Sequence, residues 1–323
     1  MIFVIGRWAA KLLMSMTYKP MLRARLDETL IKFLTKLAYA ALLAFMVVAG
    51  LDSLGVNTTA FAEVGDAVAT QQPPPLKPEL LLPGETFHVA NHPAFVMLPE
   101  AAKRKKPQPW IWYFITRPDY PDHHEKWMHE QFVTAGIAVA GVDVGESFGS
   151  PQGRKVFDAF YKEMTAKRGF ARKPFIFARS RGGLQASGWA IENAEKVAGI
   201  GGFYPVFDLR SYPGLEKAAP VYGMTVKELE AALPEVNPVA RLHVLARTKV
   251  PAFFIQGDLD EVVPLEKNTA AFVAAYEANG AKDKVGFIVA KGQGHNYWPG
   301  FFRCRELIDF AIIRAGEGAH GSK

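Results

Sequence analysis

The stretch that decides the fold is residues 175–194, FIFARSRGGLQASGWAIENA. It begins with an apolar run typical of a buried strand, continues through a serine between two arginines and a pair of glycines, and ends in a helical pattern. When a strand, a sharp turn and a helix expose a serine in this way, the residues two before and two after it must be small. Here they are Ala178 and Gly182, so Ser180 is the candidate nucleophile. Alanine replaces the first glycine of the usual G-x-S-x-G pattern but keeps its small size.

Two further polar stretches also follow apolar strand patterns. QGDLDEVVP at residues 256–264 follows AFFI, and GQGHN at residues 292–296 follows FIVA. Taken singly, such aspartates and histidines are typical of polar turns. Ser180, an aspartate and His295, however, occur in the chain order Ser, Asp, His, each in the loop after a strand. Because these loops meet at the carboxyl edge of a parallel sheet, the three residues are predicted to form a catalytic triad.

The fold class follows from the alternation of strand and helix patterns after residue 84. It predicts an α/β domain with a mostly parallel central sheet and helices on both faces. Between residues 207 and 250 the alternation breaks, which predicts a small insertion over the active-site edge, with one helix near Val226–Leu233. The predicted strands are 87–90 and 94–98 as a hairpin, then 110–115, 137–142, 175–178, 198–204, 252–256 and 285–290; the other predicted helices are 123–135, 152–166, 184–194, 268–278 and 301–315.

Together with GESFGSP at residues 145–151 and DLRSYPG at residues 208–214, these motifs resemble the α/β-hydrolase superfamily. More narrowly, they resemble bacterial hydrolases of the prolyl-oligopeptidase-like or acyl-esterase-like type that carry an SRGG turn. The resemblance covers residues 84–316 and is most specific at the triad. It implies a serine hydrolase whose oxyanion hole uses the backbone N–H of Arg181 and a second donor in the loop after the Trp110 strand, near Thr116 and Arg117.

Three aspartates compete for the acid of the triad. The resemblance favours Asp260, because in hydrolases with a G-D-x-D-x-V-V-P run the second aspartate is normally the triad member. Asp258 and Asp208 are the alternatives. In each case His295 would accept the proton of Ser180 as the serine attacks an acyl carbon, and the carboxylate would orient the imidazole and stabilise its cation.

Other polar residues are candidate substrate contacts, namely Arg179, Glu146 and Asp208. The arginines that flank Ser180 could bind a substrate carboxylate, but a salt bridge to a local acid is the favoured role. His123 and His124 lack a matched carboxylate or cysteine spacing, and they are interpreted as a solvated helix start. We therefore predict neither a metal nor a cofactor.

Bulk composition limits the partners. The chain has 323 residues, enough for one α/β domain plus an appendage. Its net charge is +6, but seven Lys or Arg residues lie before residue 37, beside only two acids there. This local excess indicates a membrane face and no nucleic-acid partner. The single cysteine, Cys304, excludes an intramolecular disulfide and a cysteine-based zinc site.

The N-terminal part, residues 1–62, is predicted to be a helical membrane segment. The uncharged run Leu37–Leu51 (LAYAALLAFMVVAGL) favours a membrane helix with its basic side in the cytoplasm, which places the catalytic domain outside. A buried core helix is one alternative. Secretion after cleavage at Ala60-Phe61-Ala62 is the other. Residues 63–83 contain a Pro-rich run, QQPPPLKP, and are interpreted as a linker to the catalytic domain at residues 84–323.

A second resemblance concerns the same N-terminal part. IGRWAAKLL and ARLDETLIKFLTKLAYAALLAFMVVAGLDSLGVNTTAF, within residues 3–61, resemble the membrane region of small-conductance mechanosensitive channels. The chain lacks the longer first helix and the Gly/Ala-rich pore helix of that family. The segment is therefore interpreted as an anchor or a gene-fusion remnant.

The sequence thus predicts a membrane-tethered hydrolase of carboxylic esters, with a small-molecule or carbohydrate ester as substrate. An oligopeptide substrate is the runner-up, because the same triad cleaves both bonds. A non-catalytic interaction module on a channel-derived anchor is the contrasting hypothesis, and it would require a decayed triad.

Overall fold

A computed structural model describes residues 74–76 and 79–320, which belong to one compact unit, Pro73–Lys323. The predicted membrane helix, the signal cleavage site and the channel-like segment all lie outside the described residues. Within the described ranges, no helix is both long and apolar enough to cross a membrane.

The centre of the fold is an eight-stranded sheet in the order β1-β2-β4-β3-β5-β6-β7-β8. β1 pairs with β2, and β2 with β4, in antiparallel fashion, while every later pair is parallel. This confirms the mostly parallel sheet that the alternating pattern predicts. The strands are β1 Gly84–Val89, β2 His92–Met97, β3 Trp110–Tyr113, β4 Ala138–Val142, β5 Phe175–Arg179, β6 Gly199–Phe203, β7 Ala252–Gly257 and β8 Val285–Ala290.

The predicted hairpin is present, with its turn earlier than expected. Ala90 and Asn91 have φ angles of 48° and 64°, so two residues with left-handed backbone connect β1 and β2. Such two-residue turns match the right-handed twist of the flanking strands. His92 and Pro93, expected in the turn, are instead the first residues of β2.

Helices cover both faces of the sheet. One face packs against α2, α3, α7 and α8 around buried aromatic and aliphatic side chains, and the other packs against α1, α9 and α10. The helices are α1 Lys126–Thr134, α2 Pro151–Lys162, α3 Gly182–Glu192, α4 Leu215–Tyr222, α5 Val226–Val236, α6 Pro238–Arg241, α7 His243–Arg247, α8 Thr269–Ala278, α9 Pro299–Phe302 and α10 Arg305–His320.

β3 shows why a strand in this position is apolar throughout. Trp110 and Trp112 belong to the core on one face, and Ile111 and Tyr113 to the core on the other. Successive side chains of a strand point to opposite faces, so a strand buried on both sides needs no polar alternation. The Trp112 ring packs 4.7 Å from that of Trp189 on α3, measured between centroids. These aromatic residues are core and not a binding platform.

The insertion is more helical than predicted, with four helices, α4 to α7, where one was expected. It builds a third apolar cluster in which Ala218 and Leu229 pack with Leu184, Val206 and Val263. The last three residues lie at or after the carboxyl ends of β5, β6 and β7. Helices α4 and α5 therefore pack at the carboxyl edge of the sheet, where the sequence places the insertion, whereas α7 packs on one face.

Candidate active site

The strand order points to one place for a site. The chain passes from β3 outward to β4 and returns to form β5 on the other side of β3. In open α/β sheets, ligands bind outside the carboxyl ends of the strands at such a switch point. The loops at that point are residues 114–117 after β3 and residues 180–181 after β5, which contain the predicted nucleophile and the predicted oxyanion donors.

Ser180 has the strained backbone that the turn requires, with a φ of 52°. Its amide donates to the carbonyl of Phe203 at 3.2 Å, and its carbonyl accepts from the amides of Val206 and Gly183, both at 2.9 Å. A left-handed conformation is unfavourable for a residue with a side chain, and surrounding hydrogen bonds are what maintain it. The turn is therefore held from β6 and from the start of α3.

Tight packing explains the small residues around the turn. A Cβ on Gly182 would lie 3.1 Å from the Phe114 carbonyl oxygen, closer than ordinary contact. A Cβ on Gly202, in the neighbouring strand β6, would lie 1.7 Å from the carbonyl oxygen of Ala178. Larger residues at these positions would separate β5 from its neighbours, so the small residues allow the turn to form where it does.

The three predicted triad residues are in hydrogen-bond contact. Ser180 Oγ lies 2.9 Å from His295 Nε2, and His295 Nδ1 lies 2.9 Å from Asp260 Oδ2. The side chain of Asp260 is fully buried and that of His295 is 18% exposed. A buried carboxylate on one imidazole nitrogen and a hydroxyl on the other is the arrangement that activates a serine for acyl transfer.

Geometry separates the three candidate acids. Asp260 contacts His295, and its Oδ1 accepts from the amides of Val262 and Val263 at 3.1 and 2.8 Å. Asp258 accepts from the Gly292 amide and faces Lys291, so it shapes the neighbouring loop. Asp208 accepts from Asn237 Nδ2 and from the Arg210 amide, which anchors the insertion. Only Asp260 of these three is hydrogen-bonded to the histidine.

The predicted oxyanion donors flank the nucleophile. Arg181 follows Ser180 and lies at the N-terminus of α3, where backbone N–H groups lack helical partners. Thr116 is buried, and its methyl carbon lies 3.4 Å from the position of a Cβ on Gly182. The loop after β3 thus packs against the start of α3. The side chain of Arg117 turns to solvent and pairs with Asp119, which leaves only its backbone amide as a candidate donor.

Arg179, the residue before the nucleophile, is buried and ion-paired. It is 2% exposed, and its guanidinium pairs with Glu125 at 2.7 Å and with Asp122 at 3.0 Å. Burial raises the pKa of the Glu125 carboxyl, and Arg179 opposes this rise. The guanidinium also lies 4.0 Å from the centroid of the Tyr120 ring. Two acids distant in the chain thus pair with the Arg179 guanidinium, and a salt bridge is the role that the sequence favours over a substrate contact.

Arg181, the residue directly after the nucleophile, forms an ion pair with Glu146. Arg181 Nε lies 2.9 Å from Glu146 Oε2, and Arg181 Nη1 donates to the hydroxyl of Tyr212 at 3.2 Å. Burial raises the pKa of Glu146, and Arg181 opposes this rise. Glu146 Oε1 is buried without a hydrogen-bond partner among the described residues. The residue after Ser180 thus belongs to a partly buried ion pair that leaves one buried carboxylate oxygen without a partner among the described residues.

The sequence patterns did not indicate that Tyr204 would lie next to the triad. The ring of Tyr204 lies 4.2 Å from that of His295, between centroids, and Tyr204 has a positive φ of 40°. Its position directly after β6 is the one available signal.

The potential ligand atoms of Asp122, His123 and His124 lie within 4.8 Å of one another, although Asp122 also pairs with Arg179. The two histidines begin the turn before α1, as interpreted from the sequence.

Comparison with known proteins shows the fold. No family model matches the chain, and no curated protein does. Among solved structures, a puromycin-hydrolyzing peptidase of Mycobacterium tuberculosis matches 75% of this chain with a TM-score of 0.59 and 15% identity. The Pyrococcus horikoshii acylaminoacyl peptidase matches 72% with a TM-score of 0.54 and 16% identity. In both cases this chain spans 40% of the other protein.

A third structure is matched almost along its whole length. TT1662 from Thermus thermophilus is covered to 98%, with 72% of this chain, a TM-score of 0.52 and 16% identity. At such identities a likeness establishes the α/β-hydrolase type of fold alone. The chemistry of this chain has to be argued from its own site.

Proposed function

We propose that this chain is a serine hydrolase that cleaves acyl bonds through an acyl-enzyme, with an oligopeptide amide as its substrate. The observation that carries the proposal is the continuous hydrogen-bonded relay from Ser180 through His295 to the buried Asp260. A non-catalytic module would have no reason to keep a strained serine at 52° of φ in contact with an oriented histidine.

In the proposed mechanism each of these residues has one step. His295 accepts the proton of Ser180 as Oγ attacks the acyl carbon, and Asp260 stabilises the imidazolium that forms. The negative charge that develops on the acyl oxygen is stabilised by the backbone N–H of Arg181 and by a second amide in the loop of Thr116 and Arg117. His295 then donates its proton to the leaving group, and water releases the acyl group by the same route in reverse.

The choice between amide and ester rests on the structural neighbours. The sequence favoured a carboxylic, and in particular a carbohydrate, ester, with a peptide as runner-up. The similar structures whose names state an activity are peptidases and a puromycin hydrolase. This supports the peptide substrate better than the ester, and we propose the peptide on that ground.

A matched pair of substrates tests this choice. We expect blocked aminoacyl arylamides to be hydrolysed, and the corresponding aryl esters with the same acyl group to be hydrolysed as well, with both activities absent from the Ser180→Ala variant. The measurement is kcat/KM for each member of the pair. Turnover of the esters with none of the amides, across a panel of acyl groups, would contradict the peptidase proposal and restore the esterase.

We also propose that residues 1–62 tether this domain to the outer face of a membrane. This proposal rests on the basic residues before the uncharged run Leu37–Leu51. A reporter that is active only outside the cytoplasm, fused after residue 70, is expected to be active. The matched control is the same fusion to a chain in which Lys32 and Lys36 are moved to the far side of the run. A silent fusion of the unaltered segment would overturn the tether.

A further inference from the structure

Large apolar side chains that remain exposed are concentrated beside the triad. Among the described residues, six such side chains are exposed, and four of them belong to the two loops that carry Asp260 and His295. These four are Leu259, Val262, Tyr297 and Trp298. The loops touch each other, because the Leu259 amide donates to the carbonyl of Gln293 at 2.9 Å. Clustered exposed apolar side chains mark a binding surface more often than scattered ones do.

The two aromatic members are held in place while remaining open to solvent. Tyr297 is 52% exposed, and its ring packs 4.5 Å from that of His124. Trp298 is 39% exposed, and its indole lies over Gly300, where a Cβ would come within 2.4 Å of the ring. Its amide is bonded to Asn296 Oδ1 at 3.0 Å. Rings that are already ordered lose little conformational entropy when a ligand packs on them.

The order in which bonds break indicates which part of the substrate this surface contacts. His295 has to pass the proton to the leaving atom, so the leaving group departs within hydrogen-bond reach of His295 Nε2. Tyr297 and Trp298 follow that histidine by two and three residues. The acyl group, in contrast, is bound to Ser180, and the next residue of the chain, Arg181, pairs with Glu146. The loop of His295 therefore contributes its exposed aromatic rings to the leaving-group side.

The geometry points to Tyr297 and Trp298 as a leaving-group subsite that binds an aromatic or bulky apolar amine. This inference rests on the proposed acyl-enzyme and adds the class of the group that leaves. By microscopic reversibility the same subsite binds an incoming amine. The amine nitrogen attacks the acyl carbon, the bond to Ser180 Oγ breaks, and His295 transfers the amine proton to that oxygen.

The subsite is tested by measuring how the acyl-enzyme divides between attack by an added amine and attack by water. The full-length protein is acylated with one aryl ester, and phenylalaninamide or alaninamide is added at equal concentration. The measurement is the ratio of the amide product to the acid product. This ratio normalises each variant to the hydrolysis of its own acyl-enzyme. We expect the wild type to capture phenylalaninamide about tenfold better, the factor that one aromatic contact supplies.

Four variants, one of them a control, are compared with the wild type. Trp298→Ala and Tyr297→Ala are expected to bring the ratio of phenylalaninamide to alaninamide capture close to one, and Trp298→Phe to keep most of the preference. Ile313→Ala is the matched control, because Ile313 is about as exposed as Tyr297, at 54%, but lies on α10. It is expected to leave the ratio unchanged.

The outcomes separate this inference from the proposed function. Equal capture of the two amines by the wild type, or an undiminished preference in both Trp298→Ala and Tyr297→Ala, would overturn the subsite while the hydrolase stands. A wild type that forms no acyl-enzyme would overturn the proposed function, and the subsite with it.

Discussion

Replacement of Ser180 by alanine is expected to lower kcat/KM for short-chain aryl esters and arylamides by about a thousandfold or more. The reason is that no other described hydroxyl is bonded to His295 Nε2, so the variant cannot form an acyl-enzyme. The change removes one oxygen from a side chain that does not stabilise the turn, since the backbone of Ser180 makes the bonds to Phe203 and Val206. Thermal unfolding should therefore stay close to that of the wild type.

Ser187→Ala is the matched control for this prediction. Ser187 lies on α3, seven residues after the nucleophile, and its hydroxyl bonds only to the carbonyl of Gly183 among the described residues. We expect this variant to keep activity within about a factor of two, because mid-helix back-bonding of serine adds little stability. Wild-type turnover in Ser180→Ala would show that another group is the nucleophile.

Asp260→Asn is expected to lower kcat by about three to four orders of magnitude, whereas Asp258→Asn should cost less than about tenfold. An amide at 260 cannot stabilise the imidazolium, and it favours the wrong tautomer of His295. Loss of the negative charge of Asp258 affects only its loop contacts with Gly292 and Lys291. The measurement is kcat for the two variants side by side, with the same substrate.

The pair of aspartates is a demanding test because both lie in the loop after β7, two residues apart, and both variants change a carboxylate to an isosteric amide. Equal and small losses would mean that neither is the triad acid. Asp208 would then have to be reconsidered, although its carboxylate bonds to Asn237 and Arg210 in this fold.

Much of the fold could be predicted because its signals are local. Each parallel strand is a short apolar run followed by a polar loop, as in FIVA before Gly292, and β8 was predicted with its observed bounds. The insertion was predicted less well. Proline usually ends a helix. Pro220 lies inside α4, which was not predicted, and Pro234 lies inside α5, which was predicted to end at Leu233 but continues to Val236.

In the site, too, some contacts could be predicted from the sequence and others could not. Ser180, Asp260 and His295 could be identified because each follows a strand of one parallel sheet, and the carboxyl ends of such strands converge. The partners of Arg179 could not, because Asp122 and Glu125 are separated from it by 57 and 54 residues and reach it only through tertiary packing. The packing of the Tyr204 ring against that of His295 also depends on the register of β6 against its neighbours.

The measurement that tests the central claim most directly is covalent labelling with a fluorophosphonate, followed by mass mapping of the modified peptide. We predict one label on Ser180 in the full-length protein, and its loss in both Ser180→Ala and His295→Gln, because the hydroxyl attacks phosphorus only when the histidine accepts its proton. Ser187→Ala should label like the wild type. A folded wild-type protein that takes no label, or takes it on a residue other than Ser180, would contradict the assignment of this chain as a serine hydrolase acting through Ser180.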